Sequence, residues 1–432
     1  MNSRVRKMLE SALNNRILLF VASLEVLAMA IKFGTQVTIA RLAGAHAFGV
    51  YTYAMTWAST LAIPAGLGMS AMVIRYVPRY LAKNEHARLA GLLSFTRNWT
   101  WTASVTLAGV AAAALLIFKR DEVSTTTFLA LVLIPLLAVN MLQAEILRAS
   151  GRIIVSRIIP IIVQPSTILV AVFAWWSFAH LDQTSALACT AIGLALTFSL
   201  QWIYIRGSFR RNTHGVGKEF DRRAWFGLSF HLLLIKAAQL VLNNSDILIV
   251  GLILGPLEAG IYAACVKTAT LASIVTQAVN LAVPPEIARL AALEQWKSVE
   301  DKTRTSARFA FLPSALLAGV IIVAAPQLLG IFGTEFKEGV SCLIVLTLAR
   351  LVTAWTGPVG SMLNVTGHQK TSIRVYTLAA AIQLALVYIL TPQWGILGAA
   401  VGSACAMIFW NFVLCARAMQ LLNIRLWPLP TR

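Results

Sequence analysis

The sequence predicts an all-α integral membrane protein. About 12 transmembrane helices are expected, in two pseudo-symmetric six-helix lobes around a central cavity, with both termini cytoplasmic. Three observations lead there. Apolar residues make up 58% of the chain and charged residues only 12%, against about 25% charged in a typical soluble domain. Apolar segments of bilayer length recur from one end to the other, and mean hydropathy is +0.75. The second half of the chain also repeats short patterns of the first.

Spans of about 20 apolar residues fall at 17–40, 48–70, 99–118, 127–147, 153–177 and 185–205 in the first half. In the second half they fall at 226–254, 257–284, 308–332, 338–362, 372–391 and 395–416. The expected organisation is an N-terminal lobe over 1–210, a basic cytoplasmic linker over 211–225 and a C-terminal lobe over 226–432. No stretch is left for a sizeable soluble domain.

The net charge of +19 suggests nucleic acid until its placement is considered. With a cytoplasmic N-terminus, 28 of the 36 Lys and Arg residues fall in inner segments. The outer connections hold only Arg41, Lys119, Arg120 and Lys337, while Lys32, Lys236, Lys267 and Arg350 lie inside spans. That bias is the positive-inside pattern, which sets orientation. Its partner is the lipid bilayer rather than nucleic acid, with attraction to anionic lipid as a secondary effect.

Cys189, Cys265, Cys342, Cys405 and Cys415 lie in or beside apolar spans, without a CxxC pair or a Cys/His cluster. Neither a disulfide framework nor a metal site is expected. The basic start and apolar run to Ala30 resemble a signal peptide, but Glu25 interrupts the run and the pattern continues to Ala40. It reads as a retained first span.

The repeat is visible at three places. IARLAGAHAFGVYTYA (39–54) aligns with VGLILGPLEAGIYAAC (250–265), which pairs Gly44 with Gly255, Gly49 with Gly260 and Tyr51 with Tyr262. SVTLAGV (104–110) aligns with SALLAGV (314–320), and RASGRIIVSRI (148–158) echoes NVTGHQKTSIR (364–374). Internal repeats of this kind build many secondary transporters, with the substrate site between them.

The segments ARLAGAHAFGVYTYA and DILIVGLILGPLEAGIYAA, followed by IPAGLGMSAMVIRYVPRYLA (63–82), also carry a family likeness. They resemble the signature turns of Wzx-type oligosaccharide flippases, in the multidrug/oligosaccharidyl-lipid/polysaccharide exporter superfamily. Ala45 stands where that family often has Pro; Pro256 keeps it in the second copy. The resemblance implies a carrier working by alternating access in a bacterial cytoplasmic membrane. It would move an undecaprenyl-pyrophosphate-linked oligosaccharide from the cytoplasmic to the outer leaflet, for lipopolysaccharide, O-antigen or another surface polysaccharide. It also implies that the first, second, seventh and eighth helices line the central cavity.

Helical spacing gives three polar stripes independently. Ser229, Lys236, Gln239, Asn243 and Asp246 share a face of the seventh span; Lys267, Thr270, Ser273, Gln277 and Asn280 share one of the eighth. Glu25, Lys32, Gln36 and Thr35 lie in the first. Intramembrane ionisable groups face a bundle interior or a wet cavity. The expected chamber is net positive, with Lys32, Lys236, Lys267 and Arg350 set against Glu25 and Asp246, and an anionic pyrophosphate-sugar head suits it. Glu25, Gln36, Gln239, Asn243, Asp246, Gln277 and Asn280 are the candidate polar or coupling residues.

Other readings stay open for single residues. Asp246 suits pairing with Lys236 or Lys32, or capping of a helix break, as well as coupling. Glu145 suits pairing with Arg148 or Arg152. Prolines such as Pro64, Pro160 and Pro165 mark either kinks or hinges. Trp99, Trp101, Trp175 and Trp176 suit an interfacial belt. Segment 70–97 suits an interfacial helix that meets lipid headgroups, or a glycosyltransferase or polymerase of the same pathway.

No cofactor is expected, and coupling to protons, sodium or membrane potential is open. Duplicated lobes make a monomer sufficient. A cation-coupled drug or metabolite exporter of the same superfamily is the alternative. A membrane polymerase or glycosyltransferase is remote, because the sequence has no DxD motif, Walker motif or nucleotide-binding glycine loop.

Overall fold

The computed structural model describes the backbone of residues 3–66, 68–118, 125–213 and 215–424; the side chains described are those of 24, 26–66, 68–70, 72–117, 125–210, 215–221, 225, 237–280 and 282–424. Among the described residues the chain is all-helical, without strands.

The first half opens with α1 (Ser3–Ala65), which breaks at Gly44 (φ 82°, ψ 165°). Only glycine adopts this conformation without strain. The second arm of α1 folds back along the first, so that the Tyr51 hydroxyl reaches Gln36. A continuous helix would hold those two residues about 22 Å apart. Then come α2 (Met69–Ala82), α3 (His86–Phe118) and α4 (Thr125–Ala149). The next span is built of α5 (Ile153–Ile158), a π-helical turn (Ile159–Val163) and α6 (Gln164–Trp176), followed by α7 (Gln183–Thr213). Pro160 lies in that π turn and Pro165 just beyond it. Each proline removes a backbone donor, which a wider turn accommodates.

The second half runs α8 (Arg222–Ile253), α9 (Pro256–Leu271), α10 (Ile274–Ala282), α11 (Pro284–Ala292), α12 (Trp296–Val323) and α13 (Ala325–Phe332). It ends with a 3-10 turn (Glu335–Gly339), α14 (Val340–Thr356), α15 (Val359–Val365) and α16 (Gln369–Leu422). Gly395 (φ 59°, ψ −142°) breaks α16. Its arms also fold back, because a Cβ on Gly402 would lie 2.8 Å from the Val387 nitrogen. Among the described residues, eight helices are long and apolar enough to cross a membrane, or nine with the bent α9 to α10–α11 pair. The folded-back α1 and α16 each count once in that number. Helix α8 contributes the shorter apolar run Ala237–Ile253.

Backbone conformation carries the repeat further than sequence does. Positive φ recurs in matched pairs: Gly44 with Gly255, Asn84 with Glu294, and Gly151 with Gly367. Each pair marks a corner at the same place in its half.

Packing divides the molecule into two ends. At one end a single core draws Ile39, Phe48, Tyr51 and Val172 from the first half, and Tyr262, Phe332, Phe336 and Val387 from the second. The Phe48 ring lies 5.7 Å from Phe336, edge to face. At the other end, where the basic loops lie, there are two cores. Met72, Val77, Leu92 and Leu147 form one, which Trp225 enters from the start of α8, and Val279, Ile287, Met362 and Leu414 of the second half form the other. The apolar face of α2 is spent in the first of these: Met69, Met72, Val73, Val77 and Tyr80 are buried while Arg75 and Arg79 are exposed. The expected interfacial helix therefore rests on protein, because α4 offers its apolar face a packed partner.

Candidate functional site

A cavity of about 320 Å³ lies between the first arm of α1 and helices α9 and α10. Lys32 and Gln36 face it from α1, one turn apart, and Lys267, Thr270 and Gln277 face it from the other side. Two of the predicted stripes thus meet. Among the described residues lining it there is no carboxylate. Lys267 lies within electrostatic reach of Lys32, Asp246 and Arg350. Two ammonium groups facing one chamber between apolar helices repel each other, and an anion between them relieves that repulsion.

The other predicted site residues are distributed differently. Arg350, half-buried on α14, stands within electrostatic reach of Asp246 and Tyr262 rather than on the cavity wall. Asp246 is 6% exposed and sits in a packed contact. Its carboxylate accepts hydrogen bonds from the Tyr262 hydroxyl (2.9 Å), the Ser403 hydroxyl (3.2 Å) and the Ile247 N–H (2.9 Å). The expectation that Asp246 looks into the cavity is corrected here: three donors from α8, α9 and α16 stand in for water at a buried carboxylate.

The stretch Asn243-Asn244-Ser245-Asp246 is polar because it sends contacts in four directions. The Asn243 amide donates to the Gln239 carbonyl (2.7 Å), within its own helix. The Asn244 amide donates across to Thr60 Oγ1 in the first half (3.2 Å). Ser245 Oγ accepts from Gln383 on α16 (3.2 Å), and Asp246 takes Tyr262 and Ser403. Gln277 Nε2 donates to Ser273 Oγ (3.2 Å). Gln239 and Asn280 are half-buried and do not line the cavity. Glu25 and Lys236 lie outside the described side chains. Glu145 pairs with Arg148 (2.9 Å), and all five thiols are free.

The sequence reading aligned Tyr51 and Tyr262 without giving them roles, and both anchor polar networks. The Tyr51 hydroxyl shares a hydrogen bond with Thr190 Oγ1 (3.2 Å) and reaches Gln36. Tyr262 has Asp246 and Ser403 in the equivalent places. Their common offset of 211 residues is the signal that pointed to them.

Beyond the cavity the halves close on one another through the repeat itself. Gly49 packs on the backbone of Pro256, and Gly260 on the backbone of Gly49 and Ala45. A Cβ on Gly260 would stand 2.6 Å from the Gly49 Cα, so the crossing excludes any side chain. Arg41 adds a hydrogen bond to the Ile331 carbonyl (3.3 Å) across the same end. The cavity is therefore sealed on this side, and the separated cores flank it on the other.

Comparison with known proteins gives this geometry a family. Residues 14–291 match the family described as polysaccharide biosynthesis protein, and residues 232–389 match the family described as MatE. A curated relative, the "Probable low-salt glycan biosynthesis flippase Agl15" of Haloferax volcanii, is 23% identical over 189 residues; that match covers 43% of this chain and 39% of the relative. Among solved structures, an inward-facing multidrug resistance MATE family transporter of the MOP superfamily superposes with a TM-score of 0.75 at 13% identity, over 93% of this chain and 98% of that one. A MOP superfamily transporter from Pyrococcus furiosus, described as having a binding pocket of reversed polarity, gives 0.63 at 14% identity, over 95% and 96%. The matched region spans well over half of this chain, and it belongs to the polysaccharide biosynthesis protein family, within the multidrug/oligosaccharidyl-lipid/polysaccharide exporter superfamily of membrane transporters and flippases.

Proposed function

We propose that the protein flips an undecaprenyl-pyrophosphate-linked oligosaccharide from the cytoplasmic to the outer leaflet of a bacterial cytoplasmic membrane, by alternating access, for surface polysaccharide biosynthesis. The observation that carries the reading is the cavity between the halves, with Lys32 and Lys267 on opposite walls. A doubly charged pyrophosphate fits between two point cations. The glycan continues toward the separated cores while the prenyl chain stays in lipid. The positive-inside pattern places the open side in the cytoplasm, where such a substrate is assembled. The curated relative's description as a glycan biosynthesis flippase supports the substrate class.

The test is made in the native host with the gene depleted and replaced by variants. Lys32→Ala and Lys267→Ala are each expected to cut export by about tenfold or more, since a lost charge-assisted contact is worth roughly 1.5–3 kcal/mol. Complete lipid-linked units would accumulate on the cytoplasmic face. Undiminished surface polysaccharide in both variants overturns the reading.

A cation-coupled exporter has one observation in its favour, the buried Asp246 with its ring of oxygen atoms. Normal glycan with altered sensitivity to small cationic compounds, on depletion, selects it. Under either reading Asp246 is the candidate coupling group, for protons, sodium or the membrane potential.

A further inference from the structure

A second cavity lies elsewhere, in the first half and the linker, and holds about 620 Å³. It opens between α3, α4 and α7 at the basic end, and Gly215 and Lys218 of the linker border it. It shares no residue with the Lys32–Lys267 chamber.

Its lining is graded along the helix axis. Phe198, Trp202, Arg206 and Arg210 succeed one another at intervals of four on one face of α7, so aromatic groups give way to cations within about 18 Å. Helix α3 repeats the order over one turn, with Trp101 deeper and Arg97 nearer the end. The Arg97 guanidinium lies 5.5 Å from the centre of the Trp202 ring, a cation–π contact that ties the two walls together. With Lys218, four cations border the cavity and no Asp or Glu does.

A second observation points to an occupant. Gln143 of α4 also lines the cavity, is 3% exposed, and its carboxamide oxygen has no hydrogen-bond partner. A buried acceptor left without a donor is costly. Cations at headgroup depth, aromatic walls beneath them and an acceptor awaiting a donor match one kind of molecule. The volume falls within the usual range for a bound small molecule, roughly 300–1,000 Å³.

We propose that this cavity binds an anionic phospholipid with a hydroxyl-bearing headgroup, of the phosphatidylglycerol type, drawn from the leaflet at the basic end. The phosphate sits among Arg97, Arg206, Arg210 and Lys218, and a headgroup hydroxyl donates to Gln143. The upper acyl chain lies against Trp101 and Phe198. Basic pockets between helices on the cytoplasmic side are suited to such headgroups. Because every lining residue belongs to the first half or the linker, the lipid would travel with that half when the halves rock.

The test is native mass spectrometry of the full-length protein in detergent, titrated with phosphatidylglycerol, phosphatidylethanolamine or undecaprenyl phosphate. Wild type is expected to retain phosphatidylglycerol preferentially. The variant Arg97→Gln/Arg206→Gln/Arg210→Gln should bind it about a hundredfold more weakly, whereas Lys267→Gln should bind it as wild type does. Equal retention by the triple variant, equal retention of phosphatidylethanolamine, or preference for undecaprenyl phosphate each overturns the proposal. Should the triple variant not fold, wild type is labelled with a diazirine-tailed phosphatidylglycerol. Crosslinks in 97–101 and 198–206 support the site, and crosslinks confined to other helices overturn it.

Discussion

Tyr51 and Tyr262 occupy equivalent positions in the two halves, and both are buried in the same shared core, yet they differ in company. Tyr51 meets a hydroxyl and a carboxamide, Thr190 and Gln36. Tyr262 meets a hydroxyl and a carboxylate, Ser403 and Asp246. One half has kept the network neutral and the other has made it ionisable. The lesson concerns division of labour: the two halves share a scaffold, and at this pair of tyrosines only the second carries a carboxylate.

The comparison is broken most thoroughly at the point where the halves are alike. Gly49→Leu and Gly260→Leu should act almost equally, because each side chain would have to enter the other half's backbone. Overpacking costs roughly 1–3 kcal/mol, enough to shift the balance between closed and open by about 10–100-fold. Both variants should expose a cysteine placed at Gln36 to an impermeant thiol reagent added outside; protection of that cysteine in either variant counts against the seal.

Unequal effects are expected at the tyrosine networks. Asp246→Leu leaves the Tyr262 and Ser403 hydroxyls only each other (3.3 Å), removes the carboxylate within electrostatic reach of Arg350, and should cost about 3 kcal/mol of stability. Gln36→Leu leaves Tyr51 its bond to Thr190 and should cost about 1 kcal/mol. Thermal unfolding in detergent measures both, and equal losses would erase the distinction between the halves.

A smaller asymmetry lies at the start of α7. The Ser185 N–H donates to Asp182 Oδ1 (2.8 Å) and the Asp182 N–H to Ser185 Oγ (2.8 Å), a reciprocal cap. Asp182→Ala should cost about 1 kcal/mol. The Ser185 hydroxyl and N–H together hold the Asp182 carboxyl below its usual range. Its contribution is therefore complete above the unfolded-state value of about 3.9 and fades as pH falls through the lower folded value. The gap in melting temperature between wild type and Asp182→Ala should narrow below about pH 4 and stay constant from there to neutrality.

Least affected will be the exposed cluster of Arg88 with Glu219 (3.1 Å) and Glu85 (3.3 Å), which ties the linker to the first half. Arg88→Ala should leave the melting temperature almost unchanged at ordinary salt. The difference from wild type should vanish in high salt, and a loss that persists there would assign the linker contact to the Glu219 N–H bond to Ala87 instead.

Much of this architecture was legible in the sequence. The all-α membrane class followed from hydropathy, and the stripes that carry Lys32 and Lys267 followed from helical spacing, since both obey local periodicities. The fate of Asp246 did not, because its donors lie 16 and 157 residues away and no local pattern reveals them. Arg350 likewise faces a neighbour chosen by packing. The basic cavity of the first half was hidden for a related reason. Its cations had been accounted for by orientation alone, and only the fold shows that four of them converge.

The crossing at Gly49 and Gly260 carries a consequence of symmetry. Pro256 lies against Gly49 while Ala45, its counterpart 211 residues earlier, lies against Gly260. That is the geometry of an isologous dimer, in which one patch meets itself across a twofold axis. The single chain thus carries a twofold-like contact inside it, and a substitution at position 45 is felt by a glycine of the other half.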